Sequence, residues 1–212
     1  VQTCALPISL LFSATLDGAV RALVRKYQHD PVQHELPAPA MTVESLDQRF
    51  ICVRSHDKIQ VALQICRNAT RAITFVRTTH GADRLVRQLG ELGLSATAMH
   101  GRMAQNKRER SLAAFTSGSS PVLVATNVAA RVIDVSDVDV VIHYDPPEDE
   151  KVYLHRSGRT ARAGRGGMVV TLVQPEQESD LLRIQRAARL DYPVVAMRSS
   201  DPRLHDLAGW TQ

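Results

Sequence analysis

The chain has 212 residues, 44% hydrophobic and 23% charged, with a net charge of +4 and a pI near 9.2; that is enough apolar material for one packed domain with extensions. No run approaches the roughly 18 consecutive apolar residues of a membrane span, and the start lacks the charged-then-apolar order of a secretion signal, so the cytoplasm is the expected compartment. Cys4, Cys52 and Cys66 form neither an even disulfide set nor a metal-ligand spacing. No metal site is expected, and Cys52 and Cys66 read as small buried hydrophobes. The modest basic excess permits a polyanionic partner without requiring one. All of the 26 basic residues except Lys26, Lys58, Lys107 and Lys151 are arginines, whose planar fork suits phosphate.

Residues Val1 to Ile8 read as the in-frame translation of a sequencing-adaptor oligonucleotide and are set aside as non-native (1–8). A short stub follows (9–30), with an apolar run at Leu10–Ser13 and a helical period over Asp17–Tyr27. Gln28 to Ser45 holds Pro31, Pro37 and Pro39 without an apolar period, so residues 31–45 are expected to be a linker.

The main domain (46–190) alternates apolar, β-branched runs with helical periods. Its strands are expected at Gln48–Val53, Ala72–Val76, Ser95–Met99, Val122–Ala125, Val138–His143 and Met168–Val173. The helices expected between and after them are Lys58–Arg67, Gly81–Leu92, Gln105–Phe115, Glu150–His155 and Glu176–Leu190. Strands apolar on both faces, each followed by a helix, predict an α/β fold with a mostly parallel sheet and helices on both faces. Ligands of such sheets sit beyond the carboxyl ends of the strands. The remainder (191–212), with Pro193, Pro202 and Gly209, is expected to be a loosely attached tail.

Two segments after strands carry the chemistry. His155-Arg156-Ser157-Gly158-Arg159-Thr160-Ala161-Arg162-Ala163-Gly164 places three arginines three apart. Were they on one helix they would share a face and repel one another unless phosphate or carboxylate neutralised them; a solvated basic face is the plainer alternative. Val124-Ala125-Thr126-Asn127 runs through small residues to Ile133-Asp134. Thr126 could donate its hydroxyl to a phosphate and Asp134 could accept from a sugar hydroxyl, or Asp134 could simply cap a turn.

The order of motifs from Leu10 to about Val173 resembles the second, C-terminal RecA-like lobe of DEAD-box ATP-dependent RNA helicases. Ser13-Ala14-Thr15 is similar to the last signature of that family's first lobe, and Phe75-Val76-Arg77-Thr78 to the strand end that opens the second. His100-Gly101 with Gln105 and Arg108 resembles the RNA-contacting segment, Thr126 to Asp134 the fifth motif, and the arginine cluster the sixth.

The resemblance implies a RecA-like three-layer sandwich. It also implies a cofactor, ATP with Mg²⁺ held by a first lobe, and two partners, RNA and that first lobe; residues 9–30 would be the first lobe's remnant. It assigns Arg159 and Arg162 as catalytic arginine fingers on the γ-phosphate, Asp134 to the ribose, and His155 and Arg156 to the nucleotide site through coupling to the first lobe and the neighbouring motif. It assigns Arg77, Gly101, Arg108 and Thr126 to RNA backbone contacts blind to base sequence, and Ser13 and Thr15 to coupling between the lobes.

Three positions depart from the family pattern: Asn127 stands where aspartate is usual, Val132 and Ala161 where glycine is. The chain contains neither a Gly-x-x-x-x-Gly-Lys-Ser/Thr loop nor an Asp-Glu-Ala-Asp motif, so by itself it is expected not to hydrolyse ATP.

Overall fold

The computed structural model describes residues 10–12, 18–34, 46–127, 135, 138–160 and 166–206. By contacts the chain divides into two units, 1–40 and 41–212. In the first unit the described helix is α1 (Gly18–Tyr27), within the expected Asp17–Tyr27. Residues 10–12, within the apolar run at Leu10–Ser13, are exposed and adopt no regular structure.

Among its described residues the second unit has seven strands: β1 (Leu46–Cys52), β2 (Ala72–Phe75), β3 (Ala96–Met99), β4 (Val122–Ala125), β5 (Val140–His143), β6 (Gly167–Val173) and β7 (Val194–Ala196). They form one sheet in the order β3-β4-β2-β5-β6-β1-β7, and every described pairing is parallel. The α-helices among its described residues are α2 (Lys58–Arg67), α3 (Thr79–Glu91), α4 (Gln105–Thr116), α5 (Glu150–Ser157) and α6 (Glu178–Ala187).

Alternation of side chains along each strand divides the core into two layers. Ile51, Val124, Ile142 and Leu172 face a cluster with Val61 and Ile65 of α2 and Leu85 and Leu89 of α3. Phe50, Leu123, Val141 and Val169 face the opposite cluster, with Phe115 of α4, Tyr153 of α5, and Leu181 and Ile184 of α6. This is the expected three-layer RecA-like sandwich. Among the described residues no helix is long and apolar enough to cross a membrane.

Local sequence accounts for the helix starts. The Thr78 hydroxyl accepts from Gly81 N at 2.9 Å at the head of α3, and the Asp149 carboxylate accepts from Val152 N at 2.8 Å at the head of α5, each satisfying an otherwise orphaned helix donor. Of the cysteines, Cys66 is buried as expected, and burial pushes its thiol up to about 12. Cys52 is only half-buried.

The segment after Leu190 differs from the expected loose tail. Val194 to Ala196 pairs with Phe50 to Cys52 as the seventh strand, and Met197 N donates to Cys52 O at 2.9 Å. A short 3-10 turn at Pro202–His205 then lies against α2. Gln64 Nε2 donates to Ser199 O at 2.6 Å, Asn68 Nδ2 to Leu204 O at 2.8 Å, and Ser199 Oγ to Asp57 Oδ1 at 2.5 Å. That last bond holds the Asp57 carboxyl below its ordinary value. Three strand residues after a proline are too few to show a period, so the pattern was invisible locally. Residues 207–212 lie outside the described residues.

Leu204 is completely buried against the α2 layer, so Leu204→Ala should lower the unfolding free energy by about 2–5 kcal/mol. Urea unfolding followed by circular dichroism measures this. An unchanged midpoint and slope would mean the strap is not docked in solution.

Candidate functional site

Because the strands are parallel and in register, their carboxyl ends meet at one edge. Phe75 of β2 pairs with Ala125 of β4 and His143 of β5, and Met99 of β3 pairs with Ala125. The residues that follow are therefore neighbours along that edge: Val76 and Arg77, His100 and Gly101, Thr126 and Asn127, Tyr144 and Asp145. Of the expected site residues, this edge gathers Arg77, Gly101 and Thr126, and Arg108 lies in the first turn of α4 just beyond it.

The exposure of these residues is uneven. Arg77 and Gly101 are exposed and Arg108 is half-buried, whereas Thr126 is 6% exposed, its N–H donating to Met99 O at 3.3 Å. A Cβ added at Gly101 would meet nothing within 4 Å, so the fold itself does not demand glycine there.

The centre of the edge is Asp145, which sequence reasoning missed. Its Oδ2 accepts from Arg77 N at 2.9 Å, and its Oδ1 accepts from Lys58 Nζ at 3.4 Å. Its N–H donates to Phe75 O at 3.1 Å, and its carbonyl accepts from Arg156 Nη1 at 2.9 Å. Lys58 is buried, with Nζ 4.6 Å from the Tyr144 ring centroid. Burial pulls its pKa below the ordinary lysine value, and Asp145 opposes that shift. A signal was available: Tyr144-Asp145-Pro146-Pro147 directly follows a strand, where a parallel sheet puts its ligands.

Arg156 differs from expectation. Arg156 and Arg159 do not lie on one helix, because α5 stops at Ser157 and Gly158 caps it. The next amides tighten into three-residue turns, Arg159 N donating to Arg156 O at 3.1 Å and Thr160 N to Ser157 O at 3.2 Å. Arg156 is 2% exposed and directed into the domain. Besides the bond to Asp145, its Nε donates to Asn127 Oδ1 at 2.7 Å, and its guanidinium carbon lies 5.3 Å from the Phe75 ring centroid.

Burial draws the Arg156 pKa down to about 10, with the Asp145 and Glu148 carboxylates opposing, so it stays charged at neutral pH. The repulsion anticipated among the arginines is thus avoided for Arg156 by internal acceptors. Asn127, standing where aspartate is usual, makes the hydrogen bond to Arg156 without the charge.

Arg159 is half-exposed, with Nε donating to His155 O at 3.2 Å. The turn that carries it is pinned by Thr160, 1% exposed, whose hydroxyl donates to Val138 O at 2.5 Å. His155 is exposed. Ser13, Thr15, Val132, Asp134, Ala161 and Arg162 lie outside the described residues.

The sequence profile of the family described as "Helicase conserved C-terminal domain" matches residues 57–164. The chain belongs to this family. It is 42% identical, over 84% of its length, to the ATP-dependent rRNA helicase rrp3 of Schizosaccharomyces pombe, of which it spans 38%. Among solved structures it is similar to S. cerevisiae Dbp5 bound to RNA and ADP BeF3, with a TM-score of 0.74, 31% identity, and coverage of 90% of this chain and 51% of that one. It is also similar to the E. coli DEAD-box protein SrmB bound to the regulator RraA, with a TM-score of 0.65, 35% identity, and coverage of 71% of this chain and 89% of that one. These similarities put the helicase domain in the DEAD-box branch.

Beneath Arg156 lies His143, fully buried between the Phe75 and Tyr153 rings. Its Nδ1 is 3.2 Å from Thr171 Oγ1, and its Nε2 has no hydrogen-bond partner among the described residues. Burial, reinforced by Arg156, keeps it neutral far below the ordinary histidine range. The unfolded chain takes up a proton here below about pH 6.5 while the folded chain does not, so this residue makes stability fall as the pH drops through that point. Urea unfolding from pH 7 to 5 should show a slope that His143→Gln reduces by up to about 1.4 kcal/mol per pH unit. Equal slopes for the two proteins would show that the imidazole is charged or solvated in the fold.

Proposed function

We propose that this chain acts as the second lobe of an ATP-dependent RNA helicase, binding the RNA backbone and supplying arginine fingers to ATP hydrolysis during duplex opening. One observation carries the reading. A half-exposed Arg159, held by the pinned turn after α5, belongs to the same strand-end system as Arg77, Gly101 and Thr126, because Arg156 bonds that turn's helix to Asn127 and Asp145.

In this reading Arg159 and Arg162 reach the γ-phosphate across a cleft completed by a first lobe. Phosphoryl transfer asks the protein mainly for positioning and charge stabilisation. Arg159 donates through Nε to the His155 carbonyl, which orients the guanidinium that this reading aims at a developing anion. Asp134 holds the ribose hydroxyl, His155 couples to the first lobe, and Arg156 braces the loop from within. ATP supplies the energy for lobe closure, and Mg²⁺ is held by the first lobe.

Arg77, Gly101, Arg108 and Thr126 track sugars and phosphates without base preference. Recognition of ribose hydroxyls would favour RNA over DNA. Ser13 and Thr15 relay between the lobes. The chain alone is inactive in this reading, since it carries no phosphate-cradling loop.

A second reading is a regulatory lobe that binds RNA but has lost catalysis, motivated by Asn127 and Val132. The short Asn127–Arg156 bond favours the first reading, because the substitution leaves the brace in being.

Fusing the chain to a DEAD-box first lobe should give RNA-stimulated ATP hydrolysis, and Arg159→Ala should lower its kcat by about 10³-fold or more. Hydrolysis that persists unchanged in Arg159→Ala would remove the finger assignment. No hydrolysis from the fused protein, with RNA binding intact, would support the regulatory reading instead.

A further inference from the structure

The turn from His100 to Met103, between β3 and α4, is fastened to α3 at two points. His100 is 5% exposed, and its Nε2 meets Asp83 Oδ1 at 3.0 Å. Two residues on, Arg102 Nη1 lies 3.2 Å from His80 Nε2. Guanidinium has no acceptor, so Arg102 donates and this imidazole nitrogen accepts. His80 and Asp83 are three apart on α3 and share a face, and Met103 N closes the turn onto His100 O at 3.2 Å.

The charge balance of this face is uneven. Asp83 on α3 and Glu109 on α4 accept from His100 and from Gln105 Nε2 respectively. Arg102 is exposed, and the partner given to it is a neutral ring nitrogen rather than a carboxylate. A guanidinium fixed in that way has a defined direction and an uncancelled charge. It adjoins Gly101, where the chain leaves open space around the missing Cβ. Arg77, Arg84, Lys107 and Arg108 add positive charge on the same two helices and strand end.

We infer that Arg102 is a further phosphate-binding residue for the RNA strand, and that His80 is the positioning residue that aims it. The inference rests on the proposed RNA-binding role of this edge and adds one contact to it. Arg102 would contact the phosphodiester and not a base, since a lone guanidinium on a surface turn offers no groove-like frame for reading base edges. The phosphate replaces nothing in the fold: Arg102 can keep the His80 bond through Nη1 while its other donors face solvent.

The test is binding of a short fluorescent oligouridine to the 212-residue chain by anisotropy, over a series of salt concentrations. A single-stranded phosphate contact contributes about 0.7 to the slope of log affinity against log salt. Arg102→Ala should therefore flatten that slope by about 0.7 and weaken binding at low salt by roughly three- to tenfold. Arg102→Lys should keep the slope, and Arg102→Glu should weaken binding beyond the alanine variant. His80→Ala should weaken binding about two- to threefold with the slope unchanged, because the number of cations is the same. Oligoadenosine should respond as oligouridine does.

If the unaltered chain binds RNA and Arg102→Ala binds with the same affinity and slope, the Arg102 assignment is wrong and the RNA-binding edge stands. If the unaltered chain shows no salt-dependent binding at low salt, the RNA-binding edge and this inference fall together.

Discussion

The strand-end architecture depends on Asp145. A buried ammonium or guanidinium costs several kcal/mol unless an anion or a full set of acceptors meets it. Lys58 and Arg156 are both buried at the same sheet edge, so the fold is tenable there because one residue serves both. The Asp145 carboxylate takes Lys58 on one oxygen and the Arg77 amide on the other, while its carbonyl takes Arg156. Removing one partner of a buried charged pair typically costs on the order of 3–5 kcal/mol, more than any single surface contact at this edge can contribute.

The functional surface follows from that constraint. Arg156 points inward and ties the head of the arginine segment to the end of β4 through Asn127. After Ser157 the chain tightens into three-residue turns and Thr160 is fixed against Val138, which leaves Arg159 half-exposed. One arginine serves as a brace, and in the proposed function the next acts on a ligand. On the other side of the edge, the Asp145 bond to the Arg77 amide fixes the loop between β2 and α3, whose helix then carries His80 and Asp83 to the turn that presents Gly101 and Arg102. The nucleotide-facing and RNA-facing parts proposed here thus share one internal support.

Much of the fold was legible in the sequence because it was periodic. Lys58–Arg67 and Val122–Ala125 fall where the pattern put them, and the two-sided apolar character of the strands pointed to a covered parallel sheet. The strap at Val194–Ala196 was not legible, since its evidence is tertiary: a partner strand, a buried Leu204 and hydrogen bonds to α2. Within the site, Arg77, Gly101, Arg108 and Thr126 could be picked out by position after strands and by resemblance. Asp145 also follows a strand, but its role as a support is invisible there, because it lies in partners 68 and 87 positions distant. Arg156 was recognisable as part of a motif, yet its inward direction depends on where α5 ends, and helix ends are the least determined feature of a periodic pattern.

The support role of Asp145 is most directly measured by amide hydrogen exchange in the unaltered chain and in Asp145→Asn. Asparagine offers one side-chain acceptor where aspartate offers two, so it cannot keep both the Lys58 and the Arg77 bonds. The Arg77 amide and its neighbours in the loop before α3 should exchange faster in the variant, with the amides of β1 and β6 unaffected. Exchange at Arg77 that is the same in both proteins would contradict the claim that this carboxylate holds the strand-end loops in place.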